Sequence, residues 1–109
     1  MSSAVLWDRT WRLLEEAPIQ GADVDAKVRQ LLDAEVLRKL SQYRRTDQVL
    51  SQKYGMTFDQ FIAGRVTREK QYSLEVENDA MAWETAISGI TTMERYLGEL
   101  REAGIVPRG

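Results

Sequence analysis

Between residues 24 and 54 the chain contains neither glycine nor proline, and its apolar residues recur at Val24, Val28, Leu31, Leu32, Val36, Leu40, Tyr43, Leu50 and Tyr54. The steps are mostly three and four, the period of one helical face; a strand would need alternation by two. Asp23 or Asp25 serves as N-cap after Gly21, and Gly55 supplies the left-handed position that stops the helix. At 1.5 Å per residue this is a rod of roughly 46 Å. A compact domain of this size has a radius of gyration of only about 13 Å. A helix this long needs an extended partner.

A second segment, 73–102, matches it in length. Ser73 is its N-cap candidate, Glu75 and Glu77 lie in the first turn where the helix dipole favours acids, and Gly104 follows its end. Its face is Val76, Ala80, Trp83, Ile87, Ile90, Leu97 and Leu100, flanked by Met93 and Tyr96. Gly89 and Gly98 each cost about 1 kcal/mol relative to alanine; either they admit a close neighbour or they weaken the rod. Two rods of equal length predict an all-α fold built on an antiparallel hairpin.

The connector, 55–72, holds a capping box in Thr57-Phe-Asp-Gln60, and then Phe58, Phe61, Ile62 and Val66 on one side. A short helix here is expected to close the open end of the hairpin, bury both phenylalanines and break at Gly64. Residues 1–20 carry Leu6, Trp7, Trp11 and Leu14 at helical spacing before Pro18. This amphipathic helix either packs on its own hairpin or docks on another chain. The tail, 103–109, resembles a protease-cleavage remnant and is expected to fray. Asp47 stands where a seam residue belongs, and the steps around Leu32, Val36 and Leu40 are four and four. Both features favour a globular bundle over a long two-stranded coiled coil.

The chain has no cysteine, no histidine and only 2 prolines among 109 residues. Disulfides, thiolate zinc sites, cysteine nucleophiles, Ser-His-Asp triads and His-metal clusters are therefore excluded. The expectation is a non-enzyme without metal or cofactor. No run of about 18 apolar residues occurs, and the start lacks a basic region followed by an apolar one, so a cytoplasmic protein without membrane partners is expected.

The net charge of −2 conceals a segregation. Residues 27–53 hold seven bases against Asp33, Glu35 and Asp47, whereas 74–102 hold seven acids against Arg95 and Arg101. Arg38, Lys39, Arg44 and Arg45, with Arg65, Arg68 and Lys70, are donors that a nucleic-acid backbone accepts. The acidic pI of about 5.2 argues against that use. Pairing of the basic rod with the acidic one explains the same residues. Glu75, Glu77, Asp79 and Glu84 form the densest acidic group; Glu75 and Asp79, four apart on one face, could together hold a hard cation or act as an acid and base pair, but a solvated face at a helix N-terminus is the favoured reading. Trp83, with Met81, Tyr72 and Val76, is either core or an interface anchor. Tyr54, Phe58, Phe61, Trp7, Trp11 and Trp83 exceed what a lone hairpin covers. A second copy completing a helical bundle, or another protein along the groove, is expected to bury the excess.

The stretch Lys53-Tyr-Gly-Met-Thr-Phe58, followed by Ser73-Leu-Glu-Val-Glu77 and Asp79-Ala-Met-Ala-Trp-Glu84, resembles a group of small helical bacterial and archaeal proteins of toxin–antitoxin gene pairs. Those proteins carry Lys-Tyr-Gly-Met-Ser/Thr-Phe and, later, Trp-Glu-Val-Glu-x-Asp-x-Met-x-Trp-Glu. The likeness covers residues 24–100, with Leu74 standing where the group has an aromatic. It implies an antitoxin-like protein that binds a small nuclease-type toxin. The motif residues also have structural readings, with Gly55 as helix stop, Thr57 as N-cap, and Phe58 and Trp83 as a packed corner. The expectation is thus a homodimeric interaction module that occludes a partner protein through Trp7, Trp11, Tyr72 and Trp83, oriented by Arg44, Arg45, Glu77 and Glu84. The alternative is a small nucleic-acid-binding regulator using the basic middle.

Overall fold

A computed structural model of the chain describes residues 6–64 and 73–105, the last three by backbone alone. Among the described residues there are four helices and no strand: α1 (Asp8–Glu16), α2 (Val24–Tyr54), α3 (Phe58–Ala63) and α4 (Leu74–Ile105). The fold is all-α. None of these helices is long and apolar enough to cross a membrane.

The long helices begin and end where their capping residues stand. Asp23 accepts from the Ala26 N–H at 2.9 Å, and Gly55, at φ 66°, turns the chain out of α2. Ser73 accepts from the Val76 N–H at 3.1 Å to open α4. The far end departs from expectation. Gly104 lies inside α4, which runs to Ile105 rather than stopping near Glu102; glycine lowers helix stability but does not end a helix unaided. Both halves of the predicted capping box form at α3, with Thr57 accepting from the Gln60 N–H at 3.1 Å and Gln60 accepting from the Thr57 N–H at 2.9 Å.

Helices α2 and α4 pack antiparallel, since Asp33 meets Arg101 while Lys53 meets Asp79. From Val36 onward the α2 seam is Val36, Leu40, Tyr43, Asp47, Leu50 and Tyr54, alternating four and three as a coiled coil does. Asp47 stands in the seam at the position the sequence gives it, and Trp83 on α4 supplies its carboxylate with a donor at 2.8 Å. The four-and-four step survives only at Leu32, which lies off the seam and is half exposed. Tyr43 accounts for Gly89, where an added Cβ would fall 2.4 Å from the tyrosine ring; beside Gly98 the space is open.

Two clusters make the core. Val36, Leu40 and Leu97 fill one, with Ile90, Met93 and Leu100 around them. Leu50, Phe61, Val76 and Trp83 fill the other, where α3 closes the hairpin. Trp83 is wholly buried there, with the Tyr54, Phe58 and Phe61 rings at centroid separations of 6.0, 5.5 and 5.0 Å. Only one phenylalanine is buried as expected; Phe58 stays half-buried at the rim. The radius of gyration, 19.7 Å, is that of a rod.

Candidate functional site

Helix α1 presents the most conspicuous uncovered surface. At 100° per residue its apolar side chains, Trp11, Leu13 and Leu14, share one broad face with Trp7 at the N-cap, its charged residues occupy the other, and Leu6 precedes the helix. Leu14 alone is buried. Trp7 is 83% exposed, Trp11 47% and Leu13 56%. Packing of both tryptophans on their own hairpin therefore does not occur. The reason lies in how α1 is held: the Lys27 ammonium donates to the Leu14 and Glu15 carbonyls, each at 2.8 Å, and fixes only the C-terminal turn of α1 at the first turn of α2. A cation there satisfies carbonyls that the helix leaves unpaired and complements its dipole.

The other sequence candidates lie elsewhere. Trp83 is a core residue and not an accessible anchor: its ring is enclosed by three aromatics, and its one polar atom is occupied by Asp47. Tyr72 lies outside the described residues, as do Arg65, Arg68 and Lys70. Glu77 and Glu84 are exposed on α4 near the α3 end. Arg44 and Arg45 are exposed midway along α2, and Arg44 donates to Glu94 at 2.8 Å. Lys27 and Lys53 are separated by about 39 Å along α2, so the tryptophans at one end and the acids at the other do not form one patch. Leu13 was not legible as a contact residue, although its spacing of seven from Leu6 marks the same face.

The basic and acidic rods pair with each other. Besides Arg44 with Glu94, Arg101 lies 3.4 Å from Asp33, and Lys53 contacts both Glu75 and Asp79, the latter at 2.6 Å. Glu75 and Asp79, the two candidates for a hard cation, thus converge on an ammonium. The Tyr54 hydroxyl adds a donated bond to Asp79 at 2.7 Å. The hydrogen bond from Lys53, and then that from Tyr54, hold the Asp79 carboxyl below the usual carboxylate range, and Lys53 is raised above its own. Burial foremost, and then the Asp79 carboxylate, push the Tyr54 phenol up to about 12. These shifts favour a permanently charged, permanently paired group. A general base poised near neutrality has the opposite tuning.

A second uncovered feature is a shallow groove of about 390 Å³ between α2 and α4, lined by Leu32, Val36, Tyr96, Leu100 and Glu99. No protein family, no characterised protein and no solved structure matches the chain.

Proposed function

We propose that this chain is a non-catalytic interaction protein, the antitoxin-like partner of another protein, and that it works by occlusion. The exposed Trp7–Trp11 face of α1 carries the reading. Tryptophan is the residue type most enriched among interface anchors, and two of them on a clean amphipathic helix suit an apolar groove on a partner. The antitoxin part rests on the resemblance of residues 24–100 to that group. A nuclease-type toxin as partner places the work in the cytoplasm. The nucleic-acid alternative is the weaker reading, because two bases of its patch on α2, Arg38 and Arg44, are engaged by Glu35 and Glu94 of the chain itself.

The test is co-expression with the product of the adjacent gene. A co-purified complex and rescued growth are expected with the natural chain, and both are lost with Trp7→Ala and Trp11→Ala together. A chain that purifies free and rescues no growth ends the proposal.

A further inference from the structure

Helix α1 is poorly suited to stand alone. Its 9 residues fall short of the roughly 12–15 at which an isolated helix becomes even marginal in water. No side chain caps its N-terminus, and its C-terminal end carries Glu15 and Glu16 but no base, where the helix dipole favours cations. Asp8 in the first turn is its one well-placed end charge. The helical state of α1 therefore depends on groups outside it. Of its last four carbonyls, that of Leu13 accepts from the Ala17 N–H at 2.8 Å, and those of Leu14 and Glu15 accept from the Lys27 ammonium, also at 2.8 Å. Leu14, the buried residue of α1, stands in the same turn.

Gly21 brings Lys27 within reach. The loop between α1 and α2 lies against the first turn of α2 at this glycine, whose φ is 155°. A Cβ there would stand 2.8 Å from the Lys27 backbone nitrogen and 3.0 Å from Ala26. Any side chain at position 21 lifts the loop, and with it the end of α1, away from the ammonium.

We infer that Lys27, admitted by Gly21, holds α1 in its helical form and is thereby a positioning residue for the Trp7–Trp11 face. Its ammonium is engaged by two carbonyls of α1, so it acts on a partner through that helix. A docking helix that is already ordered has little entropy to lose on binding, whereas one that folds on its partner loses part of the interaction to ordering. The effect on binding rests on the partner reading of the Trp7–Trp11 face; the ordering of α1 does not.

Amide hydrogen exchange of the full chain, resolved by residue, tests the ordering. Lys27→Met removes two hydrogen bonds from a charged donor and is expected to speed exchange across α1 by about tenfold or more. Gly21→Ala acts in the same direction. The amides of α4, and of α2 beyond its first turn, keep their natural rates. Lys27→Arg, which retains donors for both carbonyls, keeps the protection of α1. An α1 unprotected in the natural chain, or equally protected in Lys27→Met, overturns the inference, as does faster exchange in all helices alike. Calorimetric titration with the co-expressed partner tests the effect on binding. Lys27→Met is expected to bind about tenfold more weakly, and its mixing with the partner adds helical circular dichroism that the natural chain does not gain. Unchanged affinity, or weaker binding with no gain of helix, overturns the positioning role. A natural chain that binds nothing ends the partner reading instead, and the exchange rates still decide whether Lys27 orders α1.

Discussion

Asp47 accepts the indole N–H of Trp83 at 2.8 Å from within the apolar seam of α2. The tryptophan is wholly buried, so its one polar atom has no solvent to turn to. Asp47→Ala leaves that donor unsatisfied, at a cost of about 1–3 kcal/mol. Asp47→Asn keeps an acceptor and costs less. Trp83→Ala empties the corner between the rods and α3, at about 3–5 kcal/mol. In a Trp83→Phe background the cost of Asp47→Ala shrinks, because no donor remains. Urea unfolding followed by circular dichroism gives the ranking; an Asp47→Ala midpoint equal to that of the natural chain refutes it.

Gly89 and Gly98 are expected to respond to alanine with opposite signs. At Gly98 nothing stands within 4 Å of an added Cβ, so Gly98→Ala gains helix propensity, about 0.5–1 kcal/mol. At Gly89 the same Cβ meets the Tyr43 ring at 2.4 Å. Overpacking of about 1–3 kcal/mol then outweighs the propensity gain. Replacing Tyr43 by alanine removes the obstacle, so Gly89→Ala turns stabilising in that background. Thermal unfolding of the four variants checks both signs.

The rods, the caps and the short helix were legible because each depends on local chemistry: a period, a capping carboxylate, a Thr-x-x-Gln box. The roles of Asp47 and Gly89 were not, since each is set by a side chain about forty residues away, Trp83 or Tyr43. Trp83 itself reads in sequence as an apolar-face tryptophan whether it faces a partner or a core. Only the enclosure by Tyr54, Phe58 and Phe61 decides between them. The exposure of Trp7 and Trp11 was equally hidden, because it follows from how Lys27 holds α1 by one turn.

The Lys53, Tyr54 and Asp79 cluster gives stability a limb at each end of the pH scale. Asp79 has a lowered pKa, first through the hydrogen bond from Lys53. Its contribution is fully present above about pH 4, the unfolded value, and is lost as pH falls below that through the folded value. Tyr54 is pushed up to about 12. Its contribution is complete below about pH 10 and is lost between there and the folded value. The melting temperature measured across pH should therefore fall at both ends, with Asp79→Asn flattening the acid limb and Tyr54→Phe reducing the alkaline one. Phenolate absorbance, which should show a late titration step that Tyr54→Phe removes, checks the assignment directly.

Trp7 and Trp11 should separate folding from binding. Trp7 is 83% exposed among the described residues, so Trp7→Ala changes folding stability by no more than about 0.5 kcal/mol. Trp11 is half exposed and lines a cleft with the loop before α2, so its replacement costs somewhat more. Binding responds differently. An aromatic anchor at the centre of an interface costs about 2 kcal/mol or more when truncated, roughly thirtyfold in affinity. Trp83→Phe, in contrast, alters stability and leaves affinity unchanged once the chain is folded, because that ring reaches no partner. Calorimetric titration of the three variants against the co-expressed partner, at a temperature where each is folded by circular dichroism, gives the comparison. Equal losses at all three positions show that α1 is not the docking element.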